Sequence, residues 1–99
     1  MVKPKVIWSK NGSLQLKESL EDLREKSPKA ASKVKNEILK ASRELSDNPE
    51  IYSPDRFKKN NDGSFRAFEK YSYRVTYQVE KTQITILRVR HTSREPLEH

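Results

Sequence analysis

Ser72-Tyr73-Arg74-Val75-Thr76-Tyr77-Gln78-Val79-Glu80 is the stretch on which the fold turns. Aromatic and β-branched residues alternate with polar ones. Together with Tyr71, the side chains of Tyr73, Val75, Tyr77 and Val79 fall to one side, and those of Ser72, Arg74, Thr76, Gln78 and Glu80 to the other. Successive strand side chains point to opposite faces, so this spacing predicts a β-strand over 72–80 with one face buried and one wet.

Working outward, residues 65–70 and 83–91 read as neighbouring strands, the first entered through the turn-former Asn61-Asp62-Gly63. The last strand carries apolar residues on both parities, Ile84 and Ile86 on one and Leu87 and Val89 on the other, which places it inside the sheet. Residues 48–64, with Pro49 and Pro54, form a loop. Before it, Asn48-Pro49 ends a helix that begins at Ser27-Pro28, where serine caps and proline fills the first position at no cost in hydrogen bonds. Its apolar stripe is Ala30/Ala31, Val34, Ile38, Ala41 and Leu45, running to about Ser46. An earlier helix is capped by Ser9 and continues to about Lys26, with Leu16, Leu20 and Leu23 on one face. Gly12 lies in its first turn, where a helix tolerates glycine best. Lys5-Val6-Ile7-Trp8 supplies a first short strand. The order β-α-α-β-β-β predicts an α+β fold, a helical hairpin packed on one face of a small antiparallel sheet.

The chain has 99 residues, room for one hydrophobic core, and Leu, Ile, Val and Phe make up only 22 of them. A core this thin favours a partner that buries surface on the folded state. The formal charge is +7, spread along the chain, but five of the eight arginines lie between Phe65 and Pro96. Such a balance favours polyanions in general, whether nucleic-acid backbone or an acidic protein. With no cysteine, disulfides and thiolate metal sites are excluded, and two histidines cannot build a metal centre. No metal and no cofactor are expected. Neither a signal peptide nor a membrane-spanning run is found, so a cytoplasmic protein with no membrane partner is the expectation. Residues 1–96 read as a single domain, and Leu97-Glu98-His99 as the remnant of an expression tag.

Five segments in order carry a resemblance: Val6-Ile7-Trp8-Ser9, Ser27-Pro28 with Ala30-Ala31, Asn61-Asp62-Gly63-Ser64-Phe65-Arg66, Tyr73-Arg74-Val75-Thr76-Tyr77-Gln78-Val79, and Ile86-Leu87-Arg88-Val89-Arg90-His91-Thr92-Ser93-Arg94. At this spacing the chain resembles the RelE/ParE superfamily of toxins from type II toxin–antitoxin systems, also described as plasmid-stabilisation proteins. The resemblance implies the same β-α-α-β-β-β fold and a growth inhibitor neutralised by a cognate antitoxin. It implies one of two targets. ParE-like members poison DNA gyrase, while RelE-like members are ribosome-dependent endoribonucleases (mRNA interferases) that cut mRNA in the A site.

RNA cleavage of that kind needs activation of the ribose 2′-OH, charge stabilisation at the phosphate and a proton for the leaving oxygen. By the resemblance, Arg74 stands at the strand position that contacts phosphate, and Arg66 where RelE-like enzymes place a lysine. His91 is the candidate general acid or base, imidazole being the side chain that exchanges protons near neutrality, and Arg94 completes the candidate catalytic set. The partner of that lysine falls on Phe68, and no C-terminal tyrosine is present before the tag, so the ending is nearer ParE. Arg66, Arg74, Arg88, Arg90 and Arg94 together form the expected surface for antitoxin or target, with the exposed edge of the last strand as a template for strand addition. The competing reading makes Arg74 a solvated arginine paired with a glutamate across the sheet, and has Arg88 and Arg90 flank the core and pair across strands with Glu69 or Glu80. His91, on the parity of Leu87 and Val89, would then be a satisfied histidine at the core's edge. Arg56-Phe57-Lys58-Lys59 reads as a solvated loop. The tyrosines 71, 73 and 77 can stack bases, but at strand period they read first as core.

Overall fold

The chain enters through β1, Lys5–Trp8, and turns at Ser9 into a helix. Ser9 Oγ accepts the Gly12 N–H at 2.9 Å, satisfying one of the orphan donors of the first turn. The computed structural model describes residues 3–55 and 57–92. Arg56, Arg94 and the tag-like Leu97–His99 lie outside the described residues.

The first helix is not continuous to Lys26. It runs as α1, Lys10–Ser19, breaks at Leu20, and resumes as α2, Glu21–Lys26. No proline or glycine stands at the break. Leu20 is 1% exposed, and bending there lets α1 lie on the sheet while α2 packs against the next helix. That helix, α3, Pro28–Glu44, opens on Ser27, whose Oγ accepts the Ala30 N–H at 3.2 Å. Val34, Ile38, Ala41 and Leu45 point into the core as their spacing requires.

β2, Phe65–Lys70, β3, Tyr73–Val79, and β4, Gln83–His91, complete the sheet, in the order β1-β4-β3-β2. The α+β architecture is as expected, with one difference. β1 joins β4 in parallel, so the sheet is mixed, while the other pairings are antiparallel. The parallel step follows from the helices between β1 and the hairpins, a crossover long enough to return the chain in the same direction.

A β-bulge resolves the double parity of β4. Thr76 pairs with Arg88 and Tyr77 with Ile86, which leaves Leu87 as the extra residue. The insertion shifts the alternation by one. Ile84, Ile86 and Val89 therefore all face the core, at 0%, 0% and 1% exposure. Simple alternation puts Arg88 and Arg90 on the face of Ile84 and Ile86; the bulge instead turns them to the opposite side, with Thr76 and Arg74.

Tyr73 and Tyr77 are core residues, but Tyr71 is not part of the stripe. Tyr71 and Ser72 form a two-residue turn with φ of 50° and 70°, and Tyr71 is exposed. Positive φ at both positions matches the strand twist, and β3 therefore begins one residue later than expected, at Tyr73. Tyr77 is fully buried, and its hydroxyl donates to the Pro49 carbonyl at 3.1 Å. Burial pushes its phenol up to about 12, against the opposing effect of the Arg66 charge. An unfolded tyrosine loses its proton near pH 10, so between pH 10 and 12 the native state binds the extra proton. This contribution is therefore whole below pH 10 and is lost as pH rises through 12, costing up to roughly 2–3 kcal/mol. Tyr77→Phe is expected to flatten that alkaline decline in denaturant titrations from pH 9 to 12; an unchanged slope refutes the assignment. Among the described residues no helix is long and apolar enough to cross a membrane.

Candidate functional site

Register and the bulge sort the arginines into two groups. Arg74 lies opposite Arg90, and Thr76 opposite Arg88, all on the face away from the helices. Arg66 pairs with Tyr77, on the core-facing side of β2, and donates to the Tyr52 carbonyl through Nη1. His91 lies opposite Tyr73, also on the core side, and its ring meets the tyrosine edge-on at 4.9 Å. The fold thus brings Arg74, Arg88 and Arg90 together and separates them from Arg66 and His91.

Arg74 is not bare. The 48–64 loop leaves α3 on the helix side, stacks Tyr52 on Phe68 at 5.1 Å, and passes the edge of β2 through a bridge between Pro54 and Arg66. It then lays Asp55 onto the outer face. The Asp55 side chain is 0% exposed and accepts from Arg74 Nη2 at 2.7 Å. It also accepts the Phe57 N–H at 3.0 Å and Thr76 Oγ1 at 3.4 Å. Phe57 lies under the Arg74 guanidinium, 4.9 Å from ring centroid to Cζ, a cation–π contact. Glu69 approaches Arg74 Nη1 at 3.6 Å from the exposed side.

Asn61 ties this strap down. Its Nδ2 donates to the carbonyls of Asp55 and Phe65, at 3.1 and 2.8 Å, while its Oδ1 accepts the Gly63 N–H at 2.8 Å. Gly63 takes φ of 97°, a region that suits only glycine well.

Arg88 and Arg90 behave differently. The pairing with Glu69 or Glu80 does not form for either; among the described residues it is Arg74 that reaches Glu69. Among the described residues no carboxylate lies within ion-pair distance of Arg88 or Arg90. The Arg90 Nε is buried without a hydrogen-bond partner. Burial lowers the Arg88 guanidinium from its usual range, and the adjacent Arg90 charge adds to this, partly offset by Asp55.

The edge of β4 is also not the open template expected. β1 covers its first half, and side chains of α1 close the next stretch. Gln15 Oε1 accepts the Val89 N–H at 2.8 Å, and Ser19 Oγ donates to the Val89 carbonyl at 3.4 Å. Sequence reading missed Gln15, Ser19 and Asp55, because each is a polar residue whose partner lies far along the chain. A second surface lies between the helices. A groove of about 420 Å³ has Trp8, Leu16, Leu20 and Leu39 as its floor and Lys17, Arg24 and Lys35 on its rim.

Comparison with known proteins agrees with this architecture. The sequence model of a family described as ParE toxin of type II toxin-antitoxin system, parDE, matches residues 6–96. No curated protein matches by sequence. Among solved structures, a chain of the chromosomal ParDE toxin–antitoxin system from P. aeruginosa superposes with a TM-score of 0.72 at 15% identity, over 90% of this chain and 96% of that one. A chain of the toxin–antitoxin complex RelBE2 from Mycobacterium tuberculosis superposes with a TM-score of 0.62 at 20% identity, over 92% and 93%. At these identities the superpositions speak to the fold.

Proposed function

This chain belongs to the ParE toxins of type II toxin–antitoxin systems, and from that premise we propose that it arrests growth by binding a protein target, DNA gyrase, and not by cutting RNA. The observation that carries this reading is the separation of the groups cleavage would need. Arg74 is engaged by buried Asp55, whereas Arg66 and His91 stand on the other side of the sheet. A phosphate held by Arg88 and Arg90 would have neither Arg66 nor His91 beside it to move a proton, and general acid–base work requires hydrogen-bond reach. Arg94, the remaining member of the expected set, lies outside the described residues.

Supercoiling by purified gyrase is expected to fall as toxin is added in excess, while a translating extract given the same protein shows no discrete mRNA cuts. Discrete cuts that vanish in Arg74→Ala, with supercoiling intact, would instead establish the ribosome-dependent endoribonuclease.

The same reading includes a cognate antitoxin, supported by family membership and by two cationic surfaces, the arginine face and the lysine-rimmed groove of the helical hairpin. Complementary charge makes an acidic segment the fitting partner. Reversing both charges in Arg88→Glu/Arg90→Glu is expected to weaken the complex by about 2 kcal/mol or more, near thirtyfold in Kd. Unchanged affinity by calorimetry moves the interface away from this face.

A further inference from the structure

Asp55 sits among groups that would otherwise hold an oxyanion. A guanidinium, a hydroxyl and a backbone amide converge on its carboxylate at 2.7, 3.4 and 3.0 Å. That is a donor set for a phosphate-type anion as much as for a carboxylate, since both use charge-assisted N–H and O–H donors. The carboxylate is fully buried, and its backbone is held by the Asn61 amide and by the Pro54 bridge to β2. It is therefore a fixed part of the face. Next to it, Arg88 and Arg90 carry two further charges with no carboxylate of the described residues in reach, and the Arg90 Nε has no acceptor.

We propose that Asp55 is a built-in occupant of an oxyanion pocket formed by Arg74, Thr76 and the Phe57 amide, so that phosphate-type anions from outside are taken by Arg88 and Arg90 and are refused by Arg74. Asp55 is on this account a specificity-determining residue. It closes one half of a cationic face to phosphate and leaves the other half open. The inference concerns anion selection alone and stands whichever cellular target the toxin has.

Inorganic phosphate is the probe, and the arginine side-chain Nε–H resonances of isotope-labelled full chain are the readout. In the unsubstituted protein, Arg88 and Arg90 are expected to shift on titration while Arg74 stays still. Asp55→Asn removes the counter-charge, which frees the partly exposed Arg74 guanidinium to turn to an outside anion, while the amide oxygen still accepts the Phe57 N–H. In that variant Arg74 joins the response and phosphate affinity rises about tenfold, the scale of one added charge-assisted hydrogen bond. Adding Arg74→Gln to Asp55→Asn removes the gain and leaves the response of Arg88 and Arg90. A gain that survives Arg74→Gln is a net-charge effect and overturns the proposal, as does a folded Asp55→Asn with no gain. Should Asp55→Asn fail to fold, the titration of the unsubstituted protein decides alone. Movement of Arg74, or silence of Arg88 and Arg90, overturns the proposal.

Discussion

Gly12→Ala is expected to destabilise the protein by about 2–3 kcal/mol, as overpacking against a rigid neighbour does, although alanine is the better helix former by about 1 kcal/mol. A methyl group on Gly12 would stand 2.6 Å from the Ile86 carbonyl oxygen and 3.1 Å from Ser9 Oγ. Neither can yield cheaply. The Ile86 carbonyl accepts the Ser9 N–H at 3.0 Å, where β1 hands over to α1, and Ser9 Oγ is the helix cap. Relief requires α1 to lift from β4, which also pulls Gln15 from the Val89 N–H. Thermal unfolding is expected to fall by about 10–20 °C, given the small transition entropy of a domain this size. A melting temperature equal to or above that of the parent would mean that α1 does not rest on the strand in this way.

Asp55→Ala is expected to cost about 3 kcal/mol, at the lower end for breaking a buried ion pair from one side because the Arg74 side chain keeps 19% exposure. The loss includes a guanidinium without its counter-charge, the Phe57 N–H and the Thr76 hydroxyl without their acceptor, and a strap no longer anchored to β3. Replacing both partners, Asp55→Leu with Arg74→Met, is expected to recover most of the loss, because neither charge is then stranded. Denaturant titration of the two single variants and the pair measures the coupling directly. A coupling below about 0.5 kcal/mol, the limit of ordinary additivity, would show that the strap is held by Asn61 and Pro54 without help from the ion pair.

The two largest expected losses thus fall on positions that look unremarkable in the sequence. Gly12 reads as a tolerated glycine in a first turn, and Asp55 as one more polar residue in a loop with Pro54. Both matter through a single long-range contact, with Ile86 and with Arg74. No period or propensity encodes such a contact, because it depends on which strand comes to lie where. The elements themselves were legible. Ser27-Pro28 starts α3 as capping chemistry requires, Asn61-Asp62-Gly63 turns the chain into β2, and the alternation from Tyr73 to Val79 buries Tyr73, Val75 and Tyr77.

The site was legible only in composition. Arginines crowd the last third, yet which of them share a face depends on one extra residue in β4. Alternation along a single strand carries no information about its partner's register, and Leu87 becomes a bulge only when Ile84, Ile86 and Val89 must all reach one core. What the sequence alone determined is therefore the order and kind of elements, because hydrogen-bond capping, turn geometry and hydrophobic period are local. What only the tertiary structure decided is the sorting of charge, with Arg66 and His91 on the core side and Arg74, Arg88 and Arg90 on the other. The same holds for the choice of Asp55 as partner to Arg74. Burial of a thin core and pairing of a buried carboxylate are settled between segments distant in the chain, where packing and not local preference selects the outcome.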